Sequence, residues 1–127
     1  MVDLSKRRVL VADDEPALLA AIQEYLRCCG WDVDAVDSAE RARHLLQTRA
    51  YVAVITDLRF SGPEGEEGLA IVKAARGRHQ SVPVIVMTGQ GTPETEAEAR
   101  RLGADLFVQK PVALWELAAL VRGWGAA

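Results

Sequence analysis

The feature that most constrains this fold is the regular alternation of short apolar runs with longer segments of helical periodicity. Four runs rich in valine, isoleucine, leucine and alanine recur along the chain, and a weaker fifth candidate at 31–36 alternates Trp31, Val33 and Ala35 with aspartates. Each of the five is followed by a segment of helical pattern. Continuous runs of this kind are typical of strands buried on both faces of a parallel sheet. The predicted strands cover residues 9–12, 31–36, 52–55, 84–87 and 106–108.

The number of strand–helix units narrows the architecture further. Alternating strands and helices predict an α/β fold with a parallel sheet. Five units in 127 residues are too few for an eight-stranded barrel, so an open, doubly wound sheet with helices on both faces remains. A chain of this length forms one domain, which we expect to comprise residues 1–127 with its core at about 7–124.

Proline, serine, threonine and glycine mark the ends of the five predicted helices. Proline suits a first turn, serine and threonine suit the N-cap, and glycine follows the last turn. The markers are Pro16 and Gly30 for the first helix, Ser38 for the second, Gly68 and Gly77 for the third, Thr92 and Gly103 for the fourth, and Pro111 for the fifth.

Composition excludes several classes of protein. The net charge is −3, whereas a protein that binds nucleic acid through its phosphates has a surplus of positive charge. Cys28 and Cys29 are adjacent, and two cysteines are too few for a disulfide scaffold or a zinc site, which indicates a reducing compartment. We find no signal-peptide pattern and no apolar run that could span a membrane, so we expect a cytoplasmic protein without membrane contact.

Polar residues lie within two positions of the ends of four of the predicted strands. They are Asp13, Asp14, Asp57, Thr88 and Lys110. In open α/β sheets the functional site lies beyond the carboxyl ends of the strands, so these side chains are expected to converge. Three carboxylates without histidine or cysteine indicate a hard cation, Mg²⁺ with Mn²⁺ as the alternative. Because lysine and threonine donate hydrogen bonds to phosphoryl oxygens and aspartate can attack phosphorus, the set suits phosphoryl transfer to an aspartate.

Four segments carry a family resemblance that covers essentially the whole chain. They read Val-Leu-Val-Ala-Asp-Asp-Glu-Pro at 9–16, Ile-Thr-Asp-Leu at 55–58, Val-Met-Thr-Gly at 86–89 and Phe-Val-Gln-Lys-Pro at 107–111. The sequence resembles the receiver domain of two-component response regulators, in the CheY-like superfamily. The resemblance implies a flavodoxin-like (βα)5 fold with strand order 2-1-3-4-5.

The resemblance also implies a role for each site residue. Asp57 would accept a phosphoryl group from a histidine kinase, and Asp14, Asp57 and the backbone carbonyl of Arg59 would bind Mg²⁺ directly. Asp13 would hold the metal through water. Lys110 would pair with phosphoryl oxygens and precede a cis peptide bond to proline.

Two further residues would form the switch. Thr88 would hydrogen-bond the phosphoryl group, and Phe107 would turn inward when that threonine moves. The surface of the fourth helix, fifth strand and fifth helix would then change for partner binding. The implied partners are a sensor histidine kinase or phosphotransfer protein and a downstream protein or fused output domain. The domain would be a monomer or a phosphorylation-promoted dimer, and a phospho-acceptor rather than an enzyme.

The chain departs from the family pattern after the acceptor. The expected Gly-Leu pair comes late, at Gly68-Leu69, which indicates an insertion in the loop Ser61–Glu67. Two positions that tune phosphoryl lifetime in the family hold Arg59 and Gln90. Arg59 cannot accept a proton from water whereas Gln90 can orient one, so we expect slow to moderate autodephosphorylation.

Three other functions are alternatives to the phosphorylation switch. One is a receiver-like scaffold that binds partners without phosphorylation. Another is a phosphohydrolase with an aspartyl nucleophile, but Arg59 stands where such enzymes carry a general acid. A flavin-binding domain would need a phosphate-binding loop after the first strand, where Asp13 and Asp14 would repel phosphate.

Overall fold

The structure, a computed structural model, alternates five strands with five helices and describes residues 7–58, 66–78, 81–89 and 92–125. The strands form one parallel sheet in the order β2-β1-β3-β4-β5, which confirms both the doubly wound α/β prediction and the strand order. The elements are β1 Arg8–Ala12, α1 Pro16–Cys28, β2 Asp32–Val36, α2 Ala39–Thr48, β3 Ala53–Asp57, α3 Glu66–Arg78, β4 Val84–Thr88, α4 Pro93–Leu102, β5 Leu106–Gln109 and α5 Leu114–Gly125.

Two apolar layers cover the faces of the sheet. In β1, Leu10 and Ala12 join a cluster with α2, α3 and α4, whereas Val9 and Val11 join a cluster with α1 and α5. All five residues of β3 and of β4 are buried. Since successive side chains of a strand point to opposite faces, burial on both faces requires the continuous apolar runs seen in the sequence. No described helix has the length and apolar content needed to cross a lipid bilayer.

Most of the predicted helix markers act as expected. Pro16 is the first residue of α1, and the hydroxyl of Ser38 accepts a 3.2 Å hydrogen bond from the backbone of the first turn of α2. Thr92 caps α4 in a capping box. Gly30 and Gly103 follow α1 and α4 with φ angles of 97° and 123°, which side chains with a Cβ rarely adopt.

Two of the predicted helices have wrong ends. The third helix begins at Glu66 rather than Gly68 and passes through Gly77 to Arg78, because Gly77 keeps a helical conformation and so does not stop the helix. The fifth helix begins at Leu114 rather than Pro111. The carbonyl of Ala113 accepts the first bonds of this helix, so the segment from Pro111 to Ala113 is the turn that precedes it.

Gly68 makes the closest approach between a helix and the end of β3. A Cβ at this position would overlap the carbonyl oxygens of Asp57 and Leu58 and lie 2.7 Å from the carbonyl carbon of Leu58. The first turn of α3 therefore packs directly on the backbone of the strand end that carries Asp57. This contact gives a physical reason for a glycine at the start of the Gly68-Leu69 pair.

Replacing Gly68 with alanine is expected to destabilise the protein by about 1–3 kcal/mol, because the methyl group forces α3 away from the end of β3. Gly77, on the exposed part of the same helix, provides the matched control, since nothing lies within 4 Å of the position of its Cβ. Gly77→Ala should stabilise the protein by about 0.5–1 kcal/mol through helix propensity. Urea denaturation of both variants measures the difference, and equal effects would contradict the close packing of Gly68.

Candidate functional site

The site lies where neighbouring strands end at the same edge of the sheet. Asp57 is the last residue of β3, and Asp13 follows β1 immediately. Because β1 and β3 are paired with Ala12 opposite Thr56, these two aspartates lie side by side. Thr88 ends β4, and Lys110 follows β5. The structure thus brings together the five residues that the strand-end pattern singled out.

Three carboxylates form the centre of this site. Asp13, Asp14 and Asp57 each place an oxygen within 4.8 Å of the oxygens of the other two. Asp13 has no exposed surface and Asp57 is 7% exposed, whereas Asp14 is exposed. One oxygen of Asp13 accepts a 2.8 Å bond from the backbone N–H of Glu15, which ties this carboxylate to the start of α1. Asp13 and Asp57 are therefore the buried, inner carboxylates of the cluster, and Asp14 lies at its opening.

Lys110 links the two inner carboxylates. Its Nζ donates a 3.0 Å hydrogen bond to Oδ2 of Asp13 and lies 3.3 Å from Oδ2 of Asp57. Burial alone lowers the pKa of Lys110, but the hydrogen bond to Asp13 and the charges of Asp57 and Asp13 outweigh it, so the net pKa is raised. Lys110 consequently remains an ammonium ion beside both carboxylates.

Backbone contacts fix the strand ends around this ion pair. The N–H of Lys110 donates a 2.8 Å bond to the carbonyl of Thr88, and the N–H of Leu58 donates a 2.9 Å bond to Met87. Thr88 is 6% exposed. The peptide bond between Lys110 and Pro111 is cis, as the family resemblance implied.

The carboxylate cluster fits a divalent cation of the Mg²⁺ type. Its donors are all oxygens, which hard cations prefer, and the three oxygens are close enough to surround one ion. One lysine charge faces three carboxylate charges, so a cation would relieve the remaining repulsion. The direct metal contacts of Asp14 and Asp57 and the water-mediated contact of Asp13, which the resemblance implies, stay predictions.

The proposed switch aromatic has a neighbour that the sequence did not indicate. Phe107 is partly buried against the cluster of α2, α3 and α4. The guanidinium carbon of Arg100 in α4 lies 4.7 Å from the centroid of its ring, a cation–π distance. This contact could not be read from the sequence because it joins two elements.

Some predicted features lie outside the described residues. The backbone carbonyl of Arg59, the side chain of Gln90 and the first five residues of the loop Ser61–Glu67 are among them. The metal-binding role of Arg59 and the lifetime roles of Arg59 and Gln90 therefore stay predictions.

Comparison with known proteins agrees with this fold and site. Residues 9–122 match the family model described as the response regulator receiver domain. The chain therefore belongs to the response regulator receiver domain family, whose members act in two-component signalling. Receiver domains are signalling phospho-acceptors that bind Mg²⁺ in an acidic pocket.

Individual relatives resemble the chain over most of its length. It is 35% identical over 104 residues to the response regulator protein FleR of Pseudomonas aeruginosa, covering 82% of this chain and 21% of FleR. It is 33% identical over 120 residues to the transcriptional regulatory protein PrrA of Mycobacterium leprae, covering 94% of this chain and 50% of PrrA. The chain thus spans half or less of these relatives.

A solved structure shows the same fold. The receiver domain of a sensor histidine kinase from Pseudomonas aeruginosa PAO1 superimposes with a TM-score of 0.81 at 21% identity, over 95% of this chain and 98% of that domain. That structure carries a magnesium ion coordinated in its active-site cleft.

We expect Mg²⁺ to stabilise the protein through this cluster. At a concentration about ten times its Kd, the free energy of unfolding should rise by about 1.4 kcal/mol, because the folded state alone assembles the three carboxylates. Asp57→Asn should lose most of this gain. Glu116→Gln, which removes an exposed carboxylate on α5, is the control and should keep it. Denaturation with and without Mg²⁺ measures the effect, and an undiminished gain in Asp57→Asn would argue against binding at this site.

Proposed function

We propose that Asp57 accepts a phosphoryl group from a sensor histidine kinase or a phosphotransfer protein, in a reaction that depends on Mg²⁺. The observation that carries this proposal is Lys110, whose ammonium group bonds to Asp13 and lies 3.3 Å from Asp57, the one of these two carboxylates that keeps some exposed surface. A domain comprising residues 1–127, with its core at about 7–124, would carry this activity as one unit.

Each residue of the site has a defined part in this reaction. A carboxylate oxygen of Asp57 attacks phosphorus while the bond from phosphorus to the donor nitrogen breaks, which leaves an acyl phosphate on Asp57. Lys110 can move its hydrogen bonds from the carboxylates to the new phosphoryl oxygens. Mg²⁺, when bound, supplies positive charge for those oxygens. Asp14, Asp57 and the carbonyl of Arg59 would hold it directly, and Asp13 would hold it through water.

Phosphorylation of Asp57 would change the surface of the domain through movements of Thr88 and Phe107. Lys110 and Thr88 are joined by the backbone bond between β5 and β4, so a phosphoryl group at Asp57 would act on both strand ends. Inward movement of Phe107 would have to break its contact with Arg100, which favours the outward position at rest. The surface of α4, β5 and α5 would change in consequence.

The partners of the chain follow from this mechanism. A kinase or phosphotransfer protein would approach the Asp57 edge, and a downstream protein or a fused output domain would bind the switched surface. We propose no direct contact with nucleic acid or membrane, no metabolic substrate, and a cytoplasmic location. The phosphorylation-independent scaffold is less well supported, because the acidic cluster, Thr88 and Lys110 are all present and assembled.

Incubation with acetyl phosphate and Mg²⁺ should add a single phosphoryl group, detected as an intact-mass increase. Chelation of Mg²⁺ and the Asp57→Asn substitution should each abolish the adduct, because one removes the cation and the other the nucleophile. Lys110→Met should slow its formation by about 10²-fold or more, since the site then lacks a preorganised cation for the phosphoryl oxygens.

Asp37→Asn is the matched control for these variants. Asp37 is an exposed aspartate that follows β2 but lies outside the carboxylate cluster, so this variant should be phosphorylated normally. An adduct that persists in Asp57→Asn, or that forms equally well without Mg²⁺, would refute the proposed reaction. No adduct on a wild-type protein that binds Mg²⁺ would favour the scaffold.

A further inference from the structure

The C-terminal end of α4 is the part of this helix that is held to the rest of the protein. Among the ten residues of α4, all of which the structure describes, Ala99 alone is buried. Leu102 is partly buried against the cluster of α2, α3 and α4. Both residues lie in the last turn, whereas the first turn buries no side chain. A displacement of α4 is therefore expected to move its N-terminal end and to leave its C-terminal end in place.

Arg76 in α3 fastens this end of α4 to two neighbouring strands. Its Nη2 donates a 2.6 Å hydrogen bond to the carbonyl of Gly103, which follows α4, and a 2.8 Å bond to Oδ2 of Asp105, which precedes β5. The same Oδ2 accepts a 2.8 Å bond from the backbone N–H of Val84, the first residue of β4. A Cβ at Gly103 would lie 2.7 Å from Nε of Arg76, so a larger residue would displace this side chain. Arg76, Gly103 and Asp105, here called the Arg76 cluster, therefore join α3, α4, β4 and β5.

Arg100 lies on the part of α4 that the Arg76 cluster holds, directly after Ala99. Its guanidinium carbon lies 4.7 Å from the centroid of the Phe107 ring, and the negative face of the ring attracts this cation. Because the helix end is fixed, the backbone of Arg100 cannot follow the ring when Phe107 turns inward. The movement must therefore break the contact, which at an exposed site changes an equilibrium constant by about two- to fivefold.

We propose that Arg76 and Arg100 form a restraint that opposes phosphorylation of Asp57. The Arg76 cluster fixes the C-terminal end of α4, and Arg100 on that end holds Phe107 outward. This inference rests on the proposed function, because it concerns the regulation of the same switch. Phosphorylation favours the inward position, so a contact that favours the outward position lowers the population that is ready to react. Both arginines act through Phe107 rather than on the reacting atoms, and they are therefore positioning residues.

Phosphorylation kinetics test the restraint. With acetyl phosphate and Mg²⁺, the rate constant should rise about two- to fivefold in Arg100→Gln, because the inward position becomes more populated. Arg100→Lys keeps a cation over the ring and should stay close to wild type. Arg101→Gln is the matched control, since Arg101 pairs with Glu98 and its loss should leave the rate constant unchanged. Equal rate constants in Arg100→Gln and wild type, or an equal rise in Arg101→Gln, would overturn the restraint.

Combined variants test the part assigned to Arg76. Arg76→Met frees the end of α4 to follow Phe107 and should also raise the rate constant. In an Arg100→Gln background it should add nothing, because the contact with the ring is already lost. Lys73→Met, which removes an exposed charge from the same helix, is the control and should react like wild type. Additive effects of Arg76→Met and Arg100→Gln would overturn the joint restraint.

Urea denaturation separates the failure of this inference from the failure of the proposed function. Wild type, Arg100→Gln, Phe107→Leu and the double variant form a cycle that needs no phosphoryl donor. Arg100→Gln should lower the folding equilibrium constant about two- to fivefold more when the ring is present than when it is absent. No such coupling would overturn the restraint even if Asp57 is phosphorylated. A wild type that binds Mg²⁺ but forms no adduct would refute the proposed function, while the coupling would still decide whether Arg100 holds Phe107.

Discussion

Repulsion among three carboxylates is the constraint around which the rest of this structure is organised. Asp13 and Asp57 are nearly inaccessible to solvent, and Asp14 lies close to both. Such groups are costly to bury together unless positive charge faces them. Lys110 supplies part of that charge by bonding to Asp13 and lying beside Asp57, and the remaining negative charge suits a divalent cation. The same excess of negative charge therefore favours binding of Mg²⁺, and this cation together with Lys110 would supply the positive charge that an incoming phosphoryl group needs.

The sheet and the position of the site could both be predicted from the sequence, because both follow from the topology of a parallel sheet. A parallel sheet places the carboxyl ends of its strands at one edge, so residues that directly follow apolar runs, such as Asp13 and Lys110, are brought together by topology alone. Contacts between separate elements carry no such periodic signal. The approach of Gly68 to the end of β3 and the position of Arg100 over Phe107 depend on tertiary packing. The error at Gly77 has a local cause, because a glycine marks a helix end only when its φ is positive.

The site is held in place by contacts between separate elements of the fold. The carboxylate cluster depends on strand ends that are fixed by backbone hydrogen bonds and by the packing of α3 through Gly68.

The assignment of Asp57 as the acceptor is tested most directly by locating the modified residue. Borohydride reduces an acyl phosphate on aspartate to homoserine, which peptide sequencing by mass spectrometry can place in the chain. After incubation with acetyl phosphate and Mg²⁺, homoserine should be found at position 57 and should be missing when Mg²⁺ is chelated. Homoserine at position 13 or 14, or phosphorylation that leaves position 57 unreduced, would contradict the mechanism.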